Sequence, residues 1–286
     1  MTAEIDVLQP GLFSTIQDPG RFGFREYGVP LSGPMDSYAY RLANLILQND
    51  PQNPVLEITQ IGPKLLFNAP ASIVITGGNL SPAINGSGIS NNRIHRLAAN
   101  DILSFGRQVL GSRAYLAIKG GFSSSKVLNS FSWYEGLTPY FRLEKGMTLS
   151  FLKDDREDLK STSSLGYRDN YLKEYKIPVF PGPEFEKLPT RLRSKIFSNP
   201  FTIAPSSNRM AFQFLEDFEN DLLPMLTGPV IPGTIQLTPS GKLIVLMRDC
   251  QTTGGYPRVL QVSEKGVNIL SQKMIGEKVK FELIKE

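Results

Sequence analysis

Along the first half of this 286-residue chain, short apolar runs alternate with clusters of glycine, proline and asparagine. Residues 65–67, 71–76 and 114–118 are each closed in this way, and such punctuation specifies short strands joined by turns. The 25 glycines and 21 prolines supply those turns. One stretch breaks the rule: residues 35–47 place Tyr38, Leu42, Leu45 and Ile46 at helical spacing, with Asp36 or Ser37 able to cap the start and Asn49-Asp50-Pro51 to stop it. The second half repeats the pattern. A short helix is expected over 188–197 and strands over 212–214, 233–237, 243–247 and 279–283. The fold class is therefore mainly β with a few helices.

The polar, charged stretch 153–173 has no hydrophobic period and reads as a linker or surface excursion. We place an N-terminal lobe at 1–155, the linker at 156–174 and a C-terminal lobe at 175–286. A weak internal echo accompanies this division. The strand reaching Ile118 leads to Gly120-Gly121, and the one reaching Met247 leads to Gly254-Gly255.

Charge excludes one large class of function. The net charge of +4 comes from 31 basic and 27 acidic residues that are interspersed. The longest run, Lys153 to Asp158, is mixed in sign, so a nucleic-acid footprint is missing. No apolar run approaches the roughly 20 residues needed to span a bilayer, and no signal peptide is visible, so the expected location is cytoplasmic. Cys250 is the one cysteine, which rules out an intramolecular disulfide framework and a cysteine zinc site. His95, the one histidine, lies between Arg93 and Arg96 without a nucleophile or orienting carboxylate nearby, and reads as a surface residue. No metal site is expected. No phosphate loop and no biotinyl-lysine context occur either.

What remains is a set of polar, glycine-rich turns. The segment 17–36 carries Asp18, Arg21 and Asp36 among glycines that let backbone approach a ligand closely. The same residues also suit an ion-paired loop with a helix cap. Residues 251–258, Gln-Thr-Thr-Gly-Gly-Tyr-Pro-Arg, concentrate donors, acceptors and an aromatic face suited to a planar amide, or else form an exposed turn. Thr76-Gly77-Gly78-Asn79 reads as a further turn. Arg209, in Ser206-Ser207-Asn208-Arg209-Met210, is suited to clamp a carboxylate or a phosphate bidentately. Lys119, ending an apolar strand, is a base if burial lowers its pKa, and a solvated lysine otherwise. Glu57 alternates with apolar neighbours and points either into a barrel mouth or to solvent.

Seven segments, in order, resemble the carboxyltransferase domain of urea amidolyase, also called allophanate hydrolase subunit 2. They are GLFSTIQDPGRFGFREYGVPLSGPMDSYAYRLAN, LEITQIGPKLLF, TGGN, AYLAIKGGF, SSNRM, PGTIQLTPSGKLIVLMRD and QTTGGYPR. Free-standing members of that family include the C-type subunit of 5-oxoprolinase and the antagonist of a sporulation-kinase inhibitor. The resemblance implies two cyclophilin-like β-barrel lobes with an active site in the cleft between them. It assigns Asp18, Arg21, Asp36, Asn44 and Glu57 to the site from the first lobe. From the second lobe it assigns Asn208, Arg209, Gln236, Asp249, Gln251, Thr252, Thr253 and Tyr256.

Among these, Asp18, Arg21 and Arg209 are catalytic candidates, joined by Lys119 from the apolar strand end, and the rest are candidates for substrate binding. Relatives carry Gly-Ser-Arg where Asn129-Ser130-Phe131 stands, glycine at Ala211 and an acidic residue at Gly228, which counts against urea as the substrate. The resemblance implies the C-type component of an ATP-dependent 5-oxoprolinase, working with the A-type and B-type 5-oxoprolinase subunits on a small lactam and binding no cofactor itself. The alternatives are a carboxyltransferase served by biotin on a partner, and a non-catalytic antagonist of a kinase inhibitor.

Overall fold

The computed structural model describes residues 2–153 and 170–284. The charged run beyond Lys153 and most of the expected linker lie outside the described residues. The chain forms two compact units. One joins Met1–Gly20 to Asp36–Lys173, and the other joins Arg21–Met35 to Glu174–Glu286. The expectation of a mainly β chain with a few helices holds: four α-helices stand among the described residues, the rest of the regular structure being strands and short 3-10 turns. None of those helices is long and apolar enough to cross a membrane. The expected lobe boundary differs at the strap Arg21–Met35, which falls in the N-terminal lobe by sequence but packs with the C-terminal unit.

The first unit is built on a seven-stranded and a five-stranded sheet. Their inner faces meet in one core: Ile5, Val7, Leu65, Phe67 and Leu103 from the larger sheet pack with Leu56, Ile58, Ile75, Ala114, Leu116 and Ile118 from the smaller. The outer face of the smaller sheet is covered by helix α1, Ser37–Ile46, whose Ala39, Tyr40 and Ala43 pack on Val55, Val74, Tyr115 and Ala117. The strand Leu110–Ile118 is therefore buried on both faces, alternate side chains going to each core. A single helical turn, α2, spans Asn170–Lys173 at the end of this unit.

Two expectations about this region need correction. The buried face of α1 is not the one Tyr38 and Leu45 define; both are exposed, and Ala39, Tyr40, Leu42, Ala43 and Asn44 face inward. Thr76–Asn79 is not a turn but the end of the strand Ala71–Asn79. Gly77 takes φ +74° there, beside an irregularity in the pairing with Leu110–Ile118. A Cβ at Gly77 would lie 2.7 Å from the Arg113 carbonyl and 3.3 Å from Ala39, so glycine lets the strand bulge and the helix approach.

The second unit centres on a seven-stranded sheet in which Lys176–Pro181 pairs parallel to Lys278–Leu283 and antiparallel to Arg258–Val262. Phe201, Phe214 and Phe281 stack mutually at ring separations of 5.1–5.7 Å and fill its core. Helix α3, Thr190–Ser198, fits the expected short helix, while α4, Glu264–Ser271, has no counterpart among the expected elements. It starts at Ser263, whose hydroxyl accepts from the Gly266 N–H at 3.1 Å, an N-cap in a segment too short for a clear period. A separate two-stranded sheet pairs Gly228–Pro229 with Thr253–Gly254.

Candidate functional site

Four donors converge on the Asp18 carboxylate. Oδ1 accepts from Ser130 Oγ (2.5 Å), Ser132 Oγ (2.7 Å) and the Gly20 N–H (3.0 Å), and Oδ2 accepts from the Phe131 N–H (2.7 Å). Asp18 thus ties the end of strand Phe13–Gln17 to the turn 130–132. Leu128 and Asn129 enter that turn with φ of 51° and 62°. Asparagine tolerates this left-handed backbone, so Asn129 holds the conformation that glycine takes readily. A carboxylate saturated this way is well suited to bracing a turn.

A second buried network runs through α1. The Tyr115 hydroxyl accepts from the Asp36 N–H (2.7 Å) and donates to Glu57 Oε2 (2.9 Å), while Arg113 Nε lies 3.8 Å from Glu57 Oε1. Burial, then Glu57 and Asp36, raise the Tyr115 hydroxyl well above its ordinary range, so it stays a donor. Asp36 caps α1 by accepting from the Ala39 N–H (3.0 Å) and also accepts from Tyr171 Oη (2.6 Å). Glu57, Tyr115 and Asp36 are all fully buried. Glu57 faces neither solvent nor an open mouth.

Asn44 and Lys119 belong to a third cluster, at the other end of α1. Asn44 donates to the Asn53 carbonyl (2.9 Å) and accepts from Asn49 Nδ2 (3.1 Å). Lys119 Nζ donates to the carbonyls of Leu47 (2.8 Å) and Gln48 (3.3 Å), just past the helix C-terminus, where a cation is favoured. An ammonium held there acts as a helix cap.

In the second unit the strap 21–35 is clasped by arginines. Arg209 Nη2 donates to the Gly33 carbonyl (2.8 Å), Arg248 Nε to the Pro34 carbonyl (3.0 Å), and Arg25 Nη2 to the Val230 carbonyl and, at 3.5 Å, that of Thr252. Arg209 also grips Asp249 through Nε (2.7 Å) and Nη2 (3.1 Å), the bidentate pairing expected of it, with the carboxylate supplied internally. Arg21 is fully buried within the strap, its backbone N–H donating to the Leu31 carbonyl at 2.7 Å. Asn208 folds an Asx turn onto the N–H groups of Met210 and Ala211.

The loop 251–256 carries the atoms best placed to meet a ligand. Gln251 Oε1 and Arg25 Nη1 are buried and have no hydrogen-bond partner among the described residues. Arg25 reaches the carbonyl of Thr252, the residue after Gln251. Gln236 Nε2 donates to the Tyr256 carbonyl (3.2 Å), and a Cβ at Gly254 would come within 2.5 Å of that amide nitrogen, so glycine is required where the loop crosses Gln236. Thr253 is exposed, and Tyr256 is 39% exposed. Cys250 is buried at the base of the loop, and burial pushes its thiol up to about 11, which leaves it unreactive near neutrality.

Glu184, which the sequence does not single out, pairs with Arg258, the last residue of the polar segment 251–258. Glu184 accepts from the Arg258 backbone N–H (2.9 Å), Nε (3.0 Å) and Nη2 (3.0 Å). A Cβ at Gly228 would lie 3.5 Å from Arg258 Nη1, so an acidic side chain there has an arginine at hand. Here Glu184 occupies the guanidinium instead. The hydrogen bonds from Arg258 hold the Glu184 carboxyl below its usual 4.5. Its stabilisation is therefore complete above that value and is lost as pH falls through the lower folded-state value. Glu184→Gln should cost about 1–2 kcal/mol at neutral pH and flatten the acid limb of stability measured by urea titration between about pH 3 and 6. An unchanged acid limb would show that the pair contributes nothing.

Residues 27–283 match the family model described as the carboxyltransferase domain, subdomain A and B. The chain belongs to this family. It is 30% identical to the C-type subunit of 5-oxoprolinase from Haemophilus influenzae, over 98% of this chain and 91% of that protein. It is 41% identical to urea amidolyase of Saccharomyces cerevisiae over 46% of this chain and 7% of that much longer protein. The crystal structure of K. lactis urea amidolyase superposes with a TM-score of 0.86 at 28% identity, over 99% of this chain and 19% of the other. Among the network residues, Arg113, Tyr171 and Ser132 carry no mark in the sequence, and Tyr115 and Ser130 appear in it only within family segments, without a role. Their signal is register: Tyr115 and Thr15 both lie directly across from Glu57, which no single strand reveals.

Proposed function

We propose that this chain is the C-type subunit of an ATP-dependent 5-oxoprolinase and opens the 5-oxoproline lactam to glutamate together with A-type and B-type partner subunits. The observation that carries this reading is the end-to-end likeness to the corresponding 5-oxoprolinase component, with neither chain leaving more than a tenth of its length unmatched. The site chemistry supports it. A lactam presents one N–H and one carbonyl oxygen in a plane; Gln251 Oε1 on the loop and Nη1 of strap residue Arg25, whose Nη2 reaches the Thr252 carbonyl, offer a buried acceptor and a buried donor. An amide is a poor electrophile, so ATP held by a partner would phosphorylate the carbonyl oxygen and leave as ADP; water then adds to the carbonyl carbon, and the C–N bond breaks with a proton passing to the ring nitrogen and phosphate released, which leaves glutamate. In this chain Arg25 would hold the oxygen as negative charge develops on it.

Co-expression with the partner subunits and an assay of ATP-dependent glutamate release test the reading; no release with the full set would overturn it. Gln251→Ala should lower kcat/KM about 10- to 100-fold with melting temperature little changed, because it removes the acceptor for the ring N–H and an oxygen that accepts no hydrogen bond among the described residues. The stronger local identity to urea amidolyase favours a second reading, carboxyl transfer to a small amide from biotin on a partner. Carboxylation of urea by the complex, dependent on a biotinylated partner, would establish it in place of the first.

A further inference from the structure

On the first unit, a pocket of about 390 Å³ opens at the edge of the seven-stranded sheet, where strand Phe122–Ser123 pairs with Thr148–Leu152. None of the candidate residues above lines it. One wall is aromatic: the exposed Tyr140 ring lies 5.6 Å and 48° from Trp133, which is 5% exposed and otherwise packs in the core, with Met147 beside them. The other side is a row of hydroxyls. Ser124 accepts from the Trp133 indole N–H at 3.0 Å, and Thr148 donates to Asp6, so these two are engaged. Ser123, Ser125 and Ser150 also line the pocket, and their hydroxyls have no hydrogen-bond partner among the described residues.

We propose that this pocket binds a neutral sugar ring, either a free saccharide or the ribose of a nucleoside. Its volume falls in the range of small-molecule sites, which join an apolar wall to a few placed polar groups. No lining residue is charged. An anion would lose its hydration there without gaining a cation, which excludes 5-oxoproline and phosphorylated sugars. An apolar ligand would strand three serine hydroxyls. A sugar ring satisfies both sides, setting its C–H face on the exposed Tyr140 ring, next to the edge of Trp133, and its hydroxyls against groups that each donate and accept.

Trp133 is the only tryptophan in the chain, so its emission reports on this pocket alone. The full chain should be titrated with methyl glucoside, D-ribose and adenosine, and with glucose 6-phosphate, 5-oxoproline and adenine as comparators. A saturable change in emission with at least one neutral sugar, and a midpoint at least about tenfold weaker for the charged comparators, is expected. A response to methyl glucoside identifies a free saccharide; a response to adenosine and ribose alone identifies a nucleoside. Ser125→Ala should weaken the midpoint about fivefold, the loss of one neutral hydrogen bond, and exposed Tyr140→Ala should weaken it further, both with unchanged melting temperature. No saturable response to any neutral sugar, or adenine binding as well as adenosine, would overturn the proposal.

Discussion

Asp18→Ala should lower the stability of the first unit by about 3–5 kcal/mol, a fall of roughly 10 °C in melting temperature. The carboxylate accepts from two serine hydroxyls and two backbone N–H groups, and its removal leaves buried donors facing one another. Asp18→Asn should fall between the two. Its amide retains one accepting oxygen, but its NH₂ must then face either the Phe131 N–H or the Gly20 N–H, donor against donor. Calorimetry on the three proteins checks the order. If Asp18→Asn proved as stable as the parent while activity of the complex vanished, Asp18 would be acting on substrate and not on the turn. The two roles are thereby separable by experiment.

Arg209→Met is the second change expected to have a large effect, again about 3–5 kcal/mol, because Asp249 would remain buried without its cation. It also removes the donor to the Gly33 carbonyl, so the strap loses one of its three arginine clasps. Trypsin should then cut after Arg25 faster than in the parent. Pairing Arg209→Met with Asp249→Leu separates the two consequences. The double change should recover much of the stability, since the unpaired charge is gone, yet remain sensitive to trypsin, since the Gly33 carbonyl is still unbound. Arg209→Lys should behave as a partial loss: an ammonium keeps the charge but cannot fork across both Asp249 oxygens and Gly33 together.

Local signals in the sequence are dependable where one element decides them. The start of α1 follows from Asp36, whose side chain does cap it, and the turn-bounded runs become strands. Side-chain size, by contrast, points to the wrong face of α1. The helix lies against a sheet so closely that alanines 39 and 43 face it, and larger Tyr38 and Leu45 stay outside. Gly77 and Gly78 resemble a turn because a bulge and a turn ask for the same residue. Gly120 and Gly121 both take φ +85°, whereas neither Gly254 nor Gly255 takes a positive φ, so the echo of glycine pairs joins two different conformations.

The candidate residues are legible as types but not as roles. Asp18, Asp36, Asn44 and Lys119 stand out as polar groups on glycine-rich or apolar segments, and all four hold neighbouring backbone or side chains. For Asp18 and Lys119 the partners sit far along the chain, 112 positions away for Ser130 on Asp18 and 71–72 for the carbonyls that bind Lys119. Only the assembled fold brings such groups together. Likeness to family members picks out these side chains without saying which brace the fold and which remain open to a ligand.

The path of the strap limits how this protein can be divided. Residues 21–35 leave the first unit after Gly20 and belong to the second before the chain returns at Asp36. A cut after Lys173, where the first unit ends, would therefore not yield two whole domains. The N-terminal piece would carry a segment with nothing to bind, and the C-terminal piece would leave the Arg209 and Arg248 clasps empty. Replacing one half without the other would part the strap from its clasps, so the two units can be exchanged only together.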